Sequence, residues 1–398
     1  MSWRSNNHNL WGHKFREEIL KGLVVNVILR NAGLGAVNIF LPVFLYRVGG
    51  IYLAVAYMVW GRILEVAFGD KICRIIGKIG FKKSVIISSA ALVILLLLLQ
   101  LCEVTGFWGW AILAETLAPI VALMYWVPHH LLFLETEDKN YGKNSGILGA
   151  VGTWSAVIGP LLGGAIIVGF GFGTLFGWGM LTVVISMIPI MLLPEEKVVW
   201  NFNWGNYWNK VENKWFRRDF WVYVGWGIEG IMIDWFWPIF LLTRLSGSDL
   251  HLGGFKTLVL LFTSVLLLLI GKRCDTQKYN LTWKVAMFVL ALMWFARGWI
   301  SNKFGLLGLD VMYGWTGLFW FFPLGVYGLW RARSGQKTLY MVERETALNI
   351  GRVLAALGVG FLAAAGMGWE WMAGIGVIGV LLTGFAPGLE KENFKNEK

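Results

Sequence analysis

Charge is scarce in this 398-residue chain: Asp, Glu, Lys and Arg make up 15% of it, against 57% hydrophobic residues. A soluble domain carries about 25% charged residues to wet its surface. The shortage excludes a water-soluble globule and, with the high apolar content, a disordered chain. Cysteine is nearly absent as well. The three present, Cys73, Cys102 and Cys274, are an odd number. Two of them fall in loops placed below on the cytoplasmic side, which argues against a disulfide scaffold. None has a Cys or His partner at zinc-ligand spacing, so no metal site is expected. Missing too are a phosphate-binding loop of the Walker type and a soluble domain able to hydrolyse ATP, so no cofactor is expected. A cleavable signal peptide is also lacking: residues 1–21 include Arg4, Lys14, Arg16, Glu17 and Glu18 and have no short apolar core. Trp3, Trp11 and Phe15 suit that segment to the membrane surface.

What the chain has in quantity is long apolar runs. A helix needs roughly 20 such residues to cross a bilayer. Runs of that kind fall near 22–46, 51–76, 84–102, 107–133, 145–168 and 174–193, and then near 220–243, 251–271, 282–300, 305–330, 346–366 and 370–388. They are continuously apolar, without the alternation of a membrane barrel. The expected fold is an all-α membrane protein with twelve transmembrane helices. Lys and Arg crowd one set of loops, as in Lys71, Arg74, Lys78, Lys82, Lys83, Arg217, Arg218, Lys272 and Arg273. The opposite loops and the helix ends beside them hold Arg47, Arg244, Lys256, Arg297, Lys303 and little else. By the positive-inside rule both termini are cytoplasmic. The same asymmetry explains the net charge of +11 without a nucleic-acid partner.

A polar stretch from Glu195 to Asp219 divides the runs into equal sets. The expected organisation is a cytoplasmic segment 1–21, a six-helix bundle 22–193, a cytoplasmic linker 194–219, a second six-helix bundle 220–388 and a tail 389–398. The halves also match in sequence. Asn38-Ile39-Phe40-Leu41-Pro42 aligns with Asp234-Trp235-Phe236-Trp237-Pro238, and Tyr125-Trp126-Val127-Pro128 with Trp320-Phe321-Phe322-Pro323. Ile76-Gly77-Lys78 aligns with Ile270-Gly271-Lys272. The offset is close to half the chain each time, so the two bundles read as a parallel repeat.

Between the second and third runs, Lys78, Gly80, Lys82 and Lys83 fit the tail of a Gly-x-x-x-Asp-Arg/Lys-x-Gly loop motif, with Cys73 and Gly77 in place of its first Gly and its Asp. The repeat copy, Gly271-Lys272-Arg273-Cys274-Asp275, keeps the Gly and the Asp. The fifth run carries Gly146, Ser155, Gly159-Pro160 and Gly163-Gly164. On these motifs and the six-plus-six layout, the chain from about Lys21 to Leu389 resembles the major facilitator superfamily, with a span-five pattern like its antiporter motif. Small residues at that spacing are also what close helix packing alone requires.

The resemblance implies that runs one, four, seven and ten line a central cavity. An ionisable side chain at mid-bilayer usually faces protein or water, so the polar residues of those runs are the site candidates. Asn31 and Asn38 share a helix face with Arg30 beside it, and Glu115, Pro119 and Trp126 share another. Glu229 and Asp234 lie on different faces. Asp234 is preferred for the cavity because its repeat partner Asn38 is also polar. Tyr313 and Trp320 form a stripe in run ten, with Asp310 near the outer end. A carboxylate in such a cavity can load and release a proton as access alternates, which makes Asp234 and Glu115 candidate proton carriers. Arg30 can hold an anionic substrate group or pair with a carboxylate. Arg62 and Glu65, three apart, can pair within one helix.

Read this way, the chain is a monomeric multi-pass transporter of the inner cell membrane, with the lipid bilayer, a small-molecule substrate and protons as partners. The span-five pattern and the aromatic stripes tilt the reading towards proton-coupled export of a hydrophobic or amphipathic compound. Uptake of a sugar or other small solute, and a non-transporting receptor or scaffold, stay open. A lipid-modifying enzyme would need a His, Asp or Cys cluster at one interface, which the short outer loops do not supply.

Overall fold

Lipid offers no partner for backbone N–H and C=O groups, so an apolar chain satisfies them within helices. In a computed structural model, which describes residues 5–136, 151–152, 154–193, 214–270, 279–334 and 337–385, every regular element is helical. Five helices among the described residues are long and apolar enough to cross a membrane.

The breaks between helices follow from local chemistry. α1 (Ser5–Ile79) is interrupted at Gly49 and Gly50, the second at φ 68°, where a side chain would be strained. The interruption falls between the expected first and second runs. α2 (Phe81–Thr105) ends at Gly106, whose left-handed turn lets its N–H reach the Cys102 carbonyl. The fourth run, expected as one helix over 107–133, is broken into α3 (Gly109–Glu115) and α4 (Ala118–Thr136). Pro119 has no N–H for the Glu115 carbonyl, and Thr116 and Leu117 close tighter bonds to Leu113 and Ala114 instead.

α5 (Gly159–Met191) turns at Gly171, φ 82°, where the fifth and sixth runs meet. Residues 145–150, including Gly146, lie outside the described residues. α6 (Lys214–Ile231) begins inside the stretch read as the linker 194–219, because hydropathy marks only the apolar part of a helix and not its charged first turns. A π-helical turn (Met232–Phe236) joins it to α7 (Trp237–Arg244). The remaining helices are α8 (Asp249–Ile270), α9 (Tyr279–Trp299), α10 (Lys303–Ser334), α11 (Lys337–Ala364) and α12 (Trp369–Leu382).

The small residues of α5 seat it between α1 and α8. A Cβ on Gly159 would stand 2.9 Å from the Ala36 backbone nitrogen, and one on Gly163 2.9 Å from the Phe40 ring. On Gly164 it would stand 2.6 Å from the Asp249 carbonyl oxygen. Pro160 is buried beside them and faces Gly253. The Leu161 amide, in the first turn of α5 where no helical partner exists, donates to the Thr257 hydroxyl of α8 at 3.1 Å. Near the same end, Arg47 pairs with Asp249 at 2.8 Å and donates to the Gly247 carbonyl. Gly159→Leu should therefore force two backbones apart and cost about 1–3 kcal/mol. A lower melting temperature in detergent, with a smaller loss for Gly159→Ala, is the expected result; a wild-type melting curve would contradict the contact.

At the opposite end, Gly80 (φ 85°) separates α1 from α2. Lys82 donates to the Leu193 carbonyl at 3.1 Å, just past the C-terminus of α5, where a cation is favourable. Lys78 and Lys83 are exposed. Gly271 and Asp275 lie outside the described residues.

Candidate functional site

Pro238 shapes the site. It has no N–H to give to the carbonyl four residues back, which belongs to Asp234, and its ring crowds that carbonyl. The helix widens there into the π turn, and the Trp237 N–H bonds five residues back to Met232. Such turns re-aim side chains and recur at functional sites. Asp234 sits in the middle of it and is exposed, although it lies well inside a helical bundle, because a cavity of about 540 Å³ opens beside it. Asn38, four residues before Pro42 in α1, is its repeat counterpart and lines the same cavity. Asp234 makes no direct ion pair among the described residues, while Lys256 and Arg352 stand within electrostatic range.

Two charge clusters flank it. In the first, the Asp310 carboxylate receives the Trp237 indole N–H at 2.7 Å and the Arg297 guanidinium at 2.8 Å, with Lys256 at 3.5 Å. Arg297 has no exposed surface, and the rings of Tyr313, Trp294 and Trp237 lie 4.0, 4.5 and 4.6 Å from its central carbon. In the second, Arg62 bridges Glu65 at 2.7 Å and Glu115 at 3.3 Å. Gly61 leaves room for the Glu115 carboxylate, which any Cβ there would strike. Asn349 donates to Glu65 at 2.8 Å, and Arg352 donates to Asn349 at 2.8 Å, so the chain of contacts runs from α1 to α11.

The candidates from the sequence separate accordingly. Asn38, Asp234 and Tyr313 line the cavity. Glu229 is buried outside the lining, near Arg297 and Asp234. Glu115 is buried against Arg62. The face it was expected to share with Trp126 does not persist, because the turn at Thr116–Leu117 breaks the helical phase. Trp126 is half exposed, packed on Tyr125, and outside the lining. Trp320 is sealed, donating to the Thr383 hydroxyl at 3.0 Å. Arg30 makes no ion pair with a carboxylate among the described residues; its guanidinium lies 3.9 Å from the Tyr125 ring and 3.5 Å from the Ser89 hydroxyl. Asn31 donates to the Gly152 carbonyl at 3.5 Å.

Sequence reasoning missed four cations of the lining. Lys256 and Arg297, assigned to the outer helix ends, turn inward, and Arg62 and Arg352 line the cavity from α1 and α11. Arg352 lies inside an apolar run, the usual mark of a functional ionisable residue. It went unremarked because its helix is not among those the resemblance makes cavity-lining.

No protein-family model matches the chain, and no curated protein matches it in sequence. Solved structures do. A D-xylose-proton symporter superposes with a TM-score of 0.69 at 12% identity, over 95% of this chain and 99% of its own. The human organic anion transporter MFSD10 gives 0.65 at 12%, over 92% and 99%. FucP, a major facilitator superfamily transporter in the outward conformation, gives 0.63 at 11%, over 92% and 96%. At such identities the likeness is one of architecture, and this chain has the fold of the major facilitator superfamily.

Proposed function

We propose that the protein is a secondary active transporter that moves a small polar solute by alternating access, coupled to protons through Asp234. The observation that carries this reading is a carboxylate on a π turn, exposed to an internal cavity and near two cations, with no direct ion pair among the described residues. A carboxylate so placed exchanges a proton with whichever side the cavity faces. Twelve crossings, cytoplasmic termini, residence in the inner cell membrane and a monomeric state belong to the same proposal, resting on the loop charges and the span count.

A polar solute is favoured over a hydrophobic one. Arg62, Asp234, Lys256 and Arg352 face the cavity; of the aromatic stripes that motivated the hydrophobic reading, Tyr313 lines it, while Trp126 and Trp320 do not. Gly159, Gly163 and Gly164 of α5 are occupied in packing against α1 and α8, which supplies no support for antiport. Uptake of a small solute is therefore preferred to export.

Flux into proteoliposomes, with and without a pH gradient, tests the proposal. The gradient should drive accumulation above equilibrium. Passive equilibration that ignores the gradient would remove the coupling, and an absence of flux for any solute would leave a scaffold. Lys82→Gln with Lys83→Gln should slow turnover by loosening the tie to Leu193; a change confined to KM would contradict that role.

A further inference from the structure

We infer that the transported solute carries an acidic group, a carboxylate or phosphate, and that Arg352 of α11 holds it; this rests on the transport reading above. The charged side chains of the cavity differ in how far the protein already satisfies them. Asp310 collects Trp237, Arg297 and Lys256, and Arg297, though part of the cavity wall, is paired with that carboxylate and packed among aromatic rings. Arg62 is shared by two carboxylates. Arg352 has only the neutral Asn349 oxygen as a direct partner among the described residues, and makes no direct ion pair there. A guanidinium presents five donors in a planar fork that matches a carboxylate or a phosphate. Held on one side by Asn349, which Glu65 holds in turn, the fork is oriented before any ligand arrives. Glu65, Glu345 and Asp234 act on that charge without pairing with it directly, so a neutral solute would leave the guanidinium without a direct counter-ion inside the bundle, which is unfavourable.

Coupling then follows. The charged groups around Asp234 are Lys256 of α8, Arg352 of α11 and Glu229 of α6, with Arg62, Arg297 and Asp310 elsewhere around the cavity. An anion on Arg352 offsets one of the two cations near Asp234 and adds a negative charge to the same space. Proton uptake by Asp234 relieves both effects. By linkage, the proton strengthens anion binding equally, so anion and proton travel together.

The test uses purified full-length protein and a panel of metabolite-sized carboxylates and phosphate monoesters, each beside its neutral amide or alcohol. Thermal stabilisation reports binding, and a pH dye in weak buffer reports proton uptake. At least one acid should stabilise the protein, with its neutral counterpart about tenfold weaker or worse. The carboxylate and phosphate arms say which acid it is. Arg352→Gln should weaken acid binding roughly 30-fold or more, with Arg352→Lys retaining part of it. Proton uptake should accompany binding in the wild type and vanish in Asp234→Asn. If Arg352→Gln does not fold, Arg352→Lys and the acid–neutral pairs still decide. Equal stabilisation by neutral counterparts, wild-type acid binding in Arg352→Gln, or no response to any acid overturns the inference. Gradient-driven flux of a neutral solute would overturn it while leaving the transport reading intact.

Discussion

Asp234→Asn should abolish uphill transport, a loss of about 100-fold or more, while exchange of solute across the membrane at equal pH stays measurable. Asparagine keeps the size and most of the hydrogen-bonding capacity of the side chain but cannot carry a proton. Asp234 has no direct ion pair to lose among the described residues, and it already faces the cavity rather than dry packing. The substitution should therefore leave the fold and the solute site in place and remove only the link to the gradient. Melting temperature and counterflow are the controls, and both should stay near wild type. Undiminished accumulation against a gradient would take Asp234 out of the mechanism and return attention to Glu115 or Glu229.

Asp310→Ala should do the opposite, harming the fold more than any single step of transport. Asp310 is the one direct carboxylate partner of Arg297 and Lys256 among the described residues, and Arg297 has no exposed surface through which to recover water. Removing one partner of a buried pair costs about 3–5 kcal/mol, chiefly because the other charge is left stranded. Little folded protein should be recovered from membranes. Adding Arg297→Met should restore part of the yield, since the stranded charge goes with it. If the single variant is as stable as wild type, the cluster is wetter than its burial indicates.

Much of the backbone plan was legible because apolar length and glycine are local signals. Gly49–Gly50 and Gly106 mark breaks that sequence reading put within a few residues. The pairing of Asn38 with Asp234 was legible for another reason. Duplication placed two polar residues four before two prolines, and both line the cavity. The phase of the fourth run was not legible. Pro119 breaks the register between Glu115 and Trp126, and counting in steps of an unbroken helix carries the error forward. The inward cations were missed because a charge near a helix end looks the same in sequence whether it faces water or a buried carboxylate. Arg297 and Asp310 lie in consecutive apolar runs with opposite charge, a hint that only three-dimensional packing turns into a contact.

The glycine-lined flank of α5 bears on how readily α5 and α8 can part. Where side chains interlock, separation means withdrawing each knob from its hole. Along α5 and α8 the meeting surfaces are mostly main chain, with Gly164 against Asp249 and Pro160 against Gly253. Among the described residues, polar ties at this edge amount to the Leu161–Thr257 hydrogen bond and the contacts of Arg47, 37% exposed, with Asp249 and the Gly247 carbonyl. Contacts of those kinds contribute about 1 kcal/mol or less apiece. Such a join resembles a sliding bearing: firm when closed, and separable without the re-threading that interlocked side chains require.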